Sequence, residues 1–262
     1  MNKEGLDMQH AIITAGSKGL GRKVAEDFLN KGYSVTVTYR QDKEKAETLF
    51  TQYPTYTDRI QCVQADVTNQ NDLSNLVEEV MKRFGRIDVL VNNAGPYIFQ
   101  RKKVMDYSEE EWNDMIRGNL DAVFHLLKKV IPVMREQQFG RIITYGFQDA
   151  SSAPGWMYRG AFAAAKTGLV SLTKTIAYEE AENGITVNMI SPGKIEGELK
   201  EGTIDQSRKH TDPNTPVGRP GSGEDISRSI LFLCDTESDM VTGTVLEVTG
   251  GVDVIHKYRT KK

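Results

Sequence analysis

The sequence predicts an α/β fold in which a single doubly wound parallel sheet of about seven strands carries helices on both faces. Three observations predict it. Short apolar runs alternate with amphipathic or alanine-rich runs along the chain, a glycine-rich turn joins the first pair, and no repeat or linker interrupts the alternation. Such alternation is typical of parallel sheets covered by helices. A chain of 262 residues, 39% of them hydrophobic, suits one domain, residues 1–262, with a sizeable core.

The predicted elements follow one another in strict alternation. The strands are residues 11–14, 34–39, 60–64, 89–92, 142–145, 186–190 and 245–248. The helices are residues 21–30, 43–52, 71–84, 109–135, 162–182 and 224–234. Sheets of this type bind ligands beyond the carboxyl ends of their strands. One long irregular stretch, residues 193–222, is rich in Gly, Pro, Thr and charge and has the length of a substrate or lid loop.

The turn after the first strand is the first candidate site. Glycines there let the backbone approach a pyrophosphate closely, and the helix start offers free N–H groups and a positive dipole end. A second strand follows at the distance that a βαβ unit needs, although an ordinary strand-to-helix turn is the plain alternative. The candidate dinucleotide contacts in this turn are Thr14, Gly16, Ser17, Lys18, Gly19, Leu20 and Gly21.

The end of the second strand bears on which dinucleotide is bound. An acidic residue there would hydrogen-bond the ribose of NAD, but Arg40 holds the position and Asp42 lies beyond it. A guanidinium can pair with a 2′-phosphate, and Lys18 could add a second positive charge. The pattern favours NADP(H), with NAD(H) also possible; both cations could instead be ordinary surface charges. After the third strand, Asp66 either accepts from the adenine amino group or caps the next helix.

The composition excludes several other classes of function. A net charge of −3 and a pI of about 5.9 argue against nucleic acid or an anionic membrane surface as a partner. No apolar run could span a bilayer, and the first ten residues lack a signal-peptide core. Cys62 and Cys234 each stand alone in apolar patterns and are expected to be buried thiols. Unpaired thiols fit a reducing compartment, so a cytoplasmic protein is expected. The four histidines form no cluster, so no metal site is predicted.

Motifs after the fourth strand make a resemblance to a known family specific. They are Asn92-Asn93-Ala94-Gly95, Asn119, Lys166, Ser191-Pro192-Gly193, Pro216-Val217-Gly218-Arg219, Glu224-Asp225-Ile226 and Thr242-Gly243 followed by Thr249-Gly250-Gly251. In this order and spacing, the chain resembles the short-chain dehydrogenase/reductase family from about His10 to Asp253. Gly140-Arg141-Ile142-Ile143-Thr144 and Ala163-Ala164-Ala165-Lys166 are similar to the 3-oxoacyl-(acyl-carrier-protein) reductases of that family.

This resemblance implies a Rossmann-like sheet, further cofactor contacts and an oligomer. The further contacts are Asp66, Val67, Asn92, Ala94, Gly95, Lys166, Pro192 and Gly193. The substrate would be a carbonyl or alcohol compound, including a thioester of fatty acid metabolism carried on acyl carrier protein or CoA. Arg101-Lys102-Lys103 would then meet such an acidic carrier, or else be a solvated loop. The apolar face of the long helix 109–135, with the next helix, resembles the family's interface in homodimers and homotetramers; Pro132 should end or kink that helix.

The resemblance also implies a mechanism, from which the chain departs. In the family, a tyrosine donates a proton while the nicotinamide delivers hydride, and a lysine four residues later lowers the phenol's pKa. A serine binds the carbonyl and an asparagine completes a proton relay. Lys166 and Asn119 are present, but Phe162 stands at the tyrosine position and Phe147 at the serine position. Losing a positioned general acid costs on the order of 10²–10⁴ in rate.

Three neighbouring groups are candidates to replace the missing hydroxyls. Tyr158 is the best surrogate acid by position, and Tyr97 follows the fourth strand near the expected nicotinamide. Ser151 or Ser152 could replace the serine. For each, loop packing or solvent exposure is the plain alternative. The sequence thus leaves two functions open: an NADP-dependent reductase with an altered proton donor, or a non-catalytic nucleotide-binding protein that acts as a sensor or assembly partner.

Smaller departures concern the cofactor. Ala15 stands where the family's first turn glycine is expected, with Gly16 displaced by one residue. Gly197 occupies a place where a threonine often contacts the nicotinamide, and Thr249 replaces a common aspartate. The first two departures predict a weaker hold on the cofactor, whereas the third is expected to be neutral.

Overall fold

A computed structural model describes residues 8–253 and 255 of the chain. Within them, seven parallel strands form one sheet in the order β3-β2-β1-β4-β5-β6-β7. The strands are β1 His10–Ile13, β2 Ser34–Tyr39, β3 Ile60–Gln64, β4 Val89–Asn92, β5 Gly140–Tyr145, β6 Ile185–Pro192 and β7 Val245–Val248. The predicted α/β class and doubly wound parallel sheet are confirmed. The strand order reverses between β1 and β4, where open α/β sheets bind their ligands.

The helices lie between the strands. They are α1 Gly19–Asn30, α2 Lys43–Gln52, α3 Gln70–Phe84, α4 Glu109–Ile116, α5 Ala122–Gln137, α6 Gly160–Glu179, α7 Ile204–Ser207 and α8 Gly223–Cys234. Short 3₁₀ segments add Pro54–Arg59, Val104–Asp106, Ala150–Ser152, Ala181–Asn183, Gly197–Lys200 and Thr236–Ser238. Helix α1 thus begins two residues earlier than predicted, at a glycine in the left-handed conformation (φ 62°).

The core occupies both faces of the sheet. Alternate strand residues point to opposite faces, so Ile12 packs in one layer while Ala11 and Ile13 pack in the other. Helices α3, α5 and α6 cover the first layer, and α1, α2 and α8 cover the second. Burial on both faces explains why the central strands read as continuous apolar runs instead of alternating ones.

The helix predicted over residues 109–135 is present as a continuous helical backbone from Glu109 to Gln137. It is divided by a π-helical segment, Arg117–Asp121, between α4 and α5. Pro132 lies inside α5 and does not end it, since the helix continues to Gln137. A π-helical turn inserts one extra residue into a helix, which shifts the faces that precede and follow it. The segment matters for function because it carries Asn119.

Cys62 and Cys234 are free thiols. Cys234 is buried, whereas Cys62 is partly buried and its Sγ donates to the Ala46 carbonyl at 3.4 Å. Burial raises the pKa of Cys62 to about 11. No helix in residues 8–253 combines the length and the hydropathy that crossing a membrane requires.

Candidate active site

The turn between β1 and α1 is tied to the end of β4. The Asn93 amide donates to the carbonyls of Thr14, at 3.0 Å, and Ala15, at 3.3 Å, and the Ala94 N–H donates to Thr14 Oγ1 at 2.9 Å. A Cβ on Gly21 would lie 2.5 Å from the Asn93 amide nitrogen. Glycine is therefore needed here by protein packing, and the turn is held rigidly at the point where the strand order reverses.

The displaced glycine has a local consequence. Ala15 adopts a left-handed conformation, with φ of 50°, and its N–H donates to Thr38 Oγ1 at 2.9 Å. A Cβ at Gly16 would meet Val37 Cγ1 at 2.7 Å, so glycine is needed at 16. Alanine in the left-handed region costs roughly 1–2 kcal/mol, which the surrounding bonds must offset.

The N–H groups in the first turn of α1 have no hydrogen-bond acceptor from a capping side chain of the helix itself. Its N-cap, Lys18, makes no side-chain cap, and the first turn contains no acidic residue. The Gly19 N–H instead donates to Oε1 of Glu201, at 2.6 Å, from the segment 193–222. The free N–H groups and the dipole of a helix start attract anions.

A cleft of about 730 Å³ runs beside this turn, past the ends of β2 and β3. Seven of the predicted cofactor contacts line it: Ser17, Lys18, Arg40, Asp66, Val67, Ala94 and Gly95. Lys18 is exposed, and the Arg40 side chain is 69% exposed, so both cations face solvent at the cleft. The cleft therefore presents two exposed cations beside the turn that leads into α1.

Asp66 serves its own turn and faces Arg40. Its Oδ1 accepts from the N–H and the hydroxyl of Thr68, at 2.9 and 2.7 Å, and its Oδ2 lies 4.0 Å from an Arg40 nitrogen. Burial raises the pKa of Asp66, but the Thr68 hydrogen bonds and the Arg40 charge outweigh that effect and hold the pKa below its usual value. Asn69, not Asp66, caps α3.

Asn119 is placed by the π-helical segment against the end of β4. Its amide nitrogen donates to the carbonyls of Pro96 and Met115, at 3.0 and 3.1 Å. Its Oδ1 is buried without a hydrogen-bond partner among the described residues. A Cβ on Gly95 would lie 2.4 Å from that oxygen, so the glycine makes room for it. Asn92, which precedes this loop, donates weakly to the Ile143 carbonyl at 3.5 Å.

Lys166 is buried in α6, with 5% of its surface exposed. Its ammonium lies over the Phe162 ring, 5.6 Å from the ring centre and within cation–π range, and has no hydrogen bond or ion pair within the described part of the chain. Burial lowers the pKa of Lys166 from 10.5 to about 8. A buried ammonium without a partner is costly, which makes it a candidate contact for a bound hydroxyl group.

The two phenylalanines at the predicted tyrosine and serine positions lie in one aromatic cluster, formed by Tyr97, Phe147, Trp156 and Phe162. The Tyr97 and Phe162 rings meet edge to face at 5.0 Å, and Phe147 lies 5.2 Å from Trp156 and 6.3 Å from Phe162. Phe147 is 3% exposed. Trp156 was not foreseen from the sequence, because nothing local marks a loop tryptophan as part of a site.

A buried arginine organises the loops around this cluster. The Arg159 Nε donates to the Tyr97 hydroxyl oxygen at 2.6 Å, and its other nitrogens donate to the carbonyls of Phe99, Gln100 and Tyr158. Sequence reasoning missed Arg159, since no motif marks it. Its position immediately before α6 and beside Tyr158 is the only sequence signal.

Tyr158 lies in the loop that precedes α6, with a left-handed φ of 65°. Because α6 begins at Gly160, Tyr158 does not share a helical stripe with Phe162 and Lys166. Its carbonyl accepts from the Tyr107 hydroxyl at 3.0 Å, and its role as an acid stays a prediction. Ser151 and Ser152 are exposed.

The segment 193–222, called the lid below, leaves the end of β6 through a close contact with β7. The Gly193 N–H donates to the Val248 carbonyl at 2.9 Å, and a Cβ on Gly193 would lie 2.7 Å from Thr249 Cα. Pro192 ends β6. The lid is less irregular than predicted, because it contains α7 and a 3₁₀ turn. Gly197 opens that turn with a φ of 54°, a conformation that threonine adopts only with strain.

The basic run at residues 101–103 is partly neutralised. The Lys102 ammonium contacts Glu111 Oε2 at 2.6 Å, whereas Arg101 and Lys103 are exposed. Lys102 therefore already has a carboxylate partner within the chain.

The chain matches a family model described as enoyl-(acyl carrier protein) reductase over residues 14–253. It is 61% identical to YtkK of Bacillus subtilis, named as a candidate oxidoreductase, over 97% of this chain and 100% of that protein. It is 35% identical to the 3-oxoacyl-[acyl-carrier-protein] reductase FabG of Staphylococcus epidermidis, over 92% and 98% of the two chains.

Solved structures show the same likeness. A candidate 3-oxoacyl reductase from Bacillus thuringiensis has a TM-score of 0.90 and 63% identity, covering 95% of this chain and all of that one. A short chain dehydrogenase from Bacillus anthracis has a TM-score of 0.80 and 32% identity, covering 94% and 97%.

Proposed function

Since the chain belongs to the short-chain dehydrogenase/reductase family and is an NAD(P)-dependent oxidoreductase, we propose that it uses NADP(H) to reduce a carbonyl group with an atypical proton donor. The observation that carries the proposal is the buried residue Lys166, whose ammonium lies against the Phe162 ring and has no hydrogen bond or ion pair among the described residues. Such a cation is expected to hold the hydroxyl groups of a nicotinamide ribose. An ordinary core position would favour an apolar side chain instead.

The residues present fit a phosphorylated dinucleotide. The first N–H groups of α1 would hold its pyrophosphate, and Arg40 with Lys18 would hold the 2′-phosphate through charge-assisted hydrogen bonds. When bound, the cofactor supplies the hydride. Exposed Arg40 lies 4.0 Å from Asp66, a distance that leaves its guanidinium able to turn toward a phosphate. These contacts support NADP(H) over NAD(H).

The proposed substrate class is a 3-oxoacyl thioester carried on acyl carrier protein or CoA. The names of the relatives from Staphylococcus epidermidis and Bacillus thuringiensis support this class. The basic segment Arg101-Lys102-Lys103, whose first and last residues are exposed, is the proposed contact for an acidic carrier. A cytoplasmic role in fatty acid metabolism follows from the same proposal.

Tyr97 is the proposed proton donor, ahead of Tyr158. Its phenol contacts Phe162, which occupies the predicted tyrosine position, and its oxygen accepts from Arg159 at 2.6 Å. The phenol hydrogen is then free to move to the substrate oxygen as the carbonyl becomes an alcohol. The guanidinium of Arg159 stabilises the phenolate left behind, which regains a proton from water.

The second candidate function is nucleotide binding without turnover. The aromatic cluster favours it, because Phe147 and Phe162 fill the predicted catalytic positions with rings that can neither donate a proton nor polarise a carbonyl. A sensor or assembly partner would need the cofactor cleft and Lys166 but no acid. The two functions therefore differ only in whether the cluster supplies a hydroxyl to the substrate.

Turnover separates the two candidates. Oxidation of NADPH with acetoacetyl-CoA is measured for the wild type and for the Phe162→Tyr/Phe147→Ser double variant. Turnover by the wild type supports the reductase. An inactive wild type beside an active double variant contradicts the reductase proposal for this substrate class. Tyr97→Phe and Tyr158→Phe then act as controls for each other: a loss of 10²-fold or more, on the order expected for a general acid, is expected only for Tyr97→Phe.

We also propose a homodimer or homotetramer. Helices α4 and α5 leave Trp112 and Phe124 40% and 44% exposed, and a second copy packed on these helices would cover both side chains. Light scattering after size-exclusion chromatography measures the assembly, and a monomer at micromolar concentration would contradict the proposal.

A further inference from the structure

The start of α1 is contacted by a carboxylate from a distant part of the chain. Glu201, in the lid, accepts a hydrogen bond of 2.6 Å from the Gly19 N–H, 182 positions earlier. The helix has no acidic residue in its first turn and no side-chain cap. Glu201 is thus the carboxylate that supplies the missing negative charge at this helix start.

Glu201 is held there by the packing of the lid on α8. A Cβ on Gly223 would lie 2.1 Å from the Lys200 carbonyl oxygen, so only glycine allows this approach. The Glu224 N–H donates to the Gly202 carbonyl at 3.2 Å, and the Glu224 carboxylate accepts from the Ile204 N–H at 2.6 Å. The backbone on both sides of Glu201 is therefore fixed against the beginning of α8, while the Glu201 side chain remains 41% exposed and able to rotate.

We propose that Glu201 competes with the cofactor's pyrophosphate for the N–H groups at the start of α1. This inference rests on the proposed function, which places the pyrophosphate at the same helix start. A carboxylate and a diphosphate repel each other and need the same donors, so Glu201 must rotate away for the cofactor to bind. The Lys45 ammonium lies 3.9 Å from the same Glu201 Oε1 and adds an ion pair to the position that Glu201 occupies at the helix start. The lid thereby lowers the affinity for the cofactor and hastens its release.

Binding measurements with matched variants test the competition. Glu201→Ala removes the competing carboxylate, and Glu198→Ala removes the same charge from an exposed position of the same lid segment. In calorimetric titrations with NADPH, we expect Kd to fall about fivefold or more for Glu201→Ala and to stay within twofold of wild type for Glu198→Ala. Adenosine 2′-monophosphate, which lacks the pyrophosphate, should bind all three proteins equally.

Hydrogen exchange gives a readout that needs no cofactor. In the ligand-free proteins, the amide of Gly19 should exchange faster in Glu201→Ala than in wild type or Glu198→Ala. Equal exchange, or an NADPH affinity that is unchanged or weaker in Glu201→Ala, overturns the competition while leaving the proposed function intact. If NADPH binds none of the three proteins, the proposed function fails together with this inference.

Discussion

Replacing Lys166 by methionine is expected to stabilise the ligand-free protein. The residue is 5% exposed, and no hydrogen bond or ion pair to its ammonium offsets that burial among the described residues. Methionine has a similar length, fills the same space and contains no charge. The substitution therefore measures the free-energy cost of burying the Lys166 ammonium, a charge that the fold itself does not require.

The magnitude follows from the pKa. Burial lowers the pKa of Lys166 from 10.5 to about 8, and at about 1.4 kcal/mol per pKa unit this amounts to about 3 kcal/mol of lost stability. The folded-state pKa lies below the unfolded-state pKa, so the unfolded chain holds the proton more tightly between pH 8 and 10.5. The destabilisation is complete well below pH 8 and disappears as the pH rises toward 10.5.

Urea unfolding of wild type and Lys166→Met at pH 7 and pH 10 measures this difference. The free energy of unfolding should be higher in the variant at pH 7, by up to about 3 kcal/mol, and the difference should shrink to about 1 kcal/mol at pH 10. Lys174→Met, which removes a partly exposed ammonium from the same helix, is the matched control variant. A variant that is less stable than wild type at pH 7, or a difference that does not change with pH, would refute the reasoning.

Three further predictions concern selectivity, packing and acid stability. Arg40→Ala should weaken NADPH binding about tenfold or more without changing NADH binding, as measured by titration. Gly21→Ala should lower the free energy of unfolding by about 1–3 kcal/mol, because its Cβ would lie 2.5 Å from Asn93; Gly155→Ala, with nothing within 4 Å, should be neutral. Burial, with the charges of Arg83 and Arg86, lowers the pKa of His10 from 6.5 to about 3, so wild type should lose about 3 kcal/mol of stability between pH 7 and 4.5. His10→Gln should lose less, and parallel pH curves would contradict this.

The sequence was sufficient for the sheet because its signals are local. Each central strand is a short apolar run buried on both faces, and β2, β3, β4 and β7 have the predicted bounds. The glycine-rich turn could also be predicted from the sequence, because a strand, a turn and a helix follow one another directly. The sequence also indicated which residues lie around the cleft, because parallel strands end at the same edge of a sheet.

The π-helical segment between α4 and α5 could not be predicted in this way. The apolar periodicity continues through Arg117–Asp121, and a single extra residue in a π-helical turn changes the pattern too little to detect. Tertiary contacts stabilise the π-helical segment: Gly95 and Pro96, from another loop, pack against Asn119 and Gly118. Such contacts join residues that have no relation in sequence.

The contacts of Arg159 and Glu201 could not be predicted either, because they join residues that are far apart in the sequence. Arg159 reaches a tyrosine 62 positions away, and Glu201 reaches an N–H 182 positions away. A charged residue in a loop is ordinarily a solvated surface group, and nothing near either residue in the sequence argues otherwise. Only the three-dimensional arrangement shows that one is buried and the other contacts a helix start.

The destabilisation of the fold by buried Lys166 bears on whether a cofactor is bound, but not on whether the protein turns over a substrate. A buried ammonium that destabilises the fold is retained with advantage only if a ligand supplies its missing partners, which argues for a bound nicotinamide ribose under both candidate functions. It does not argue for hydride transfer, because a sensor would keep the same contact. Turnover depends on a proton donor, and Tyr97 is the hydroxyl in contact with both Phe162 and a buried guanidinium. Tyr97 is therefore the residue whose removal distinguishes a reductase from a protein that only holds its cofactor.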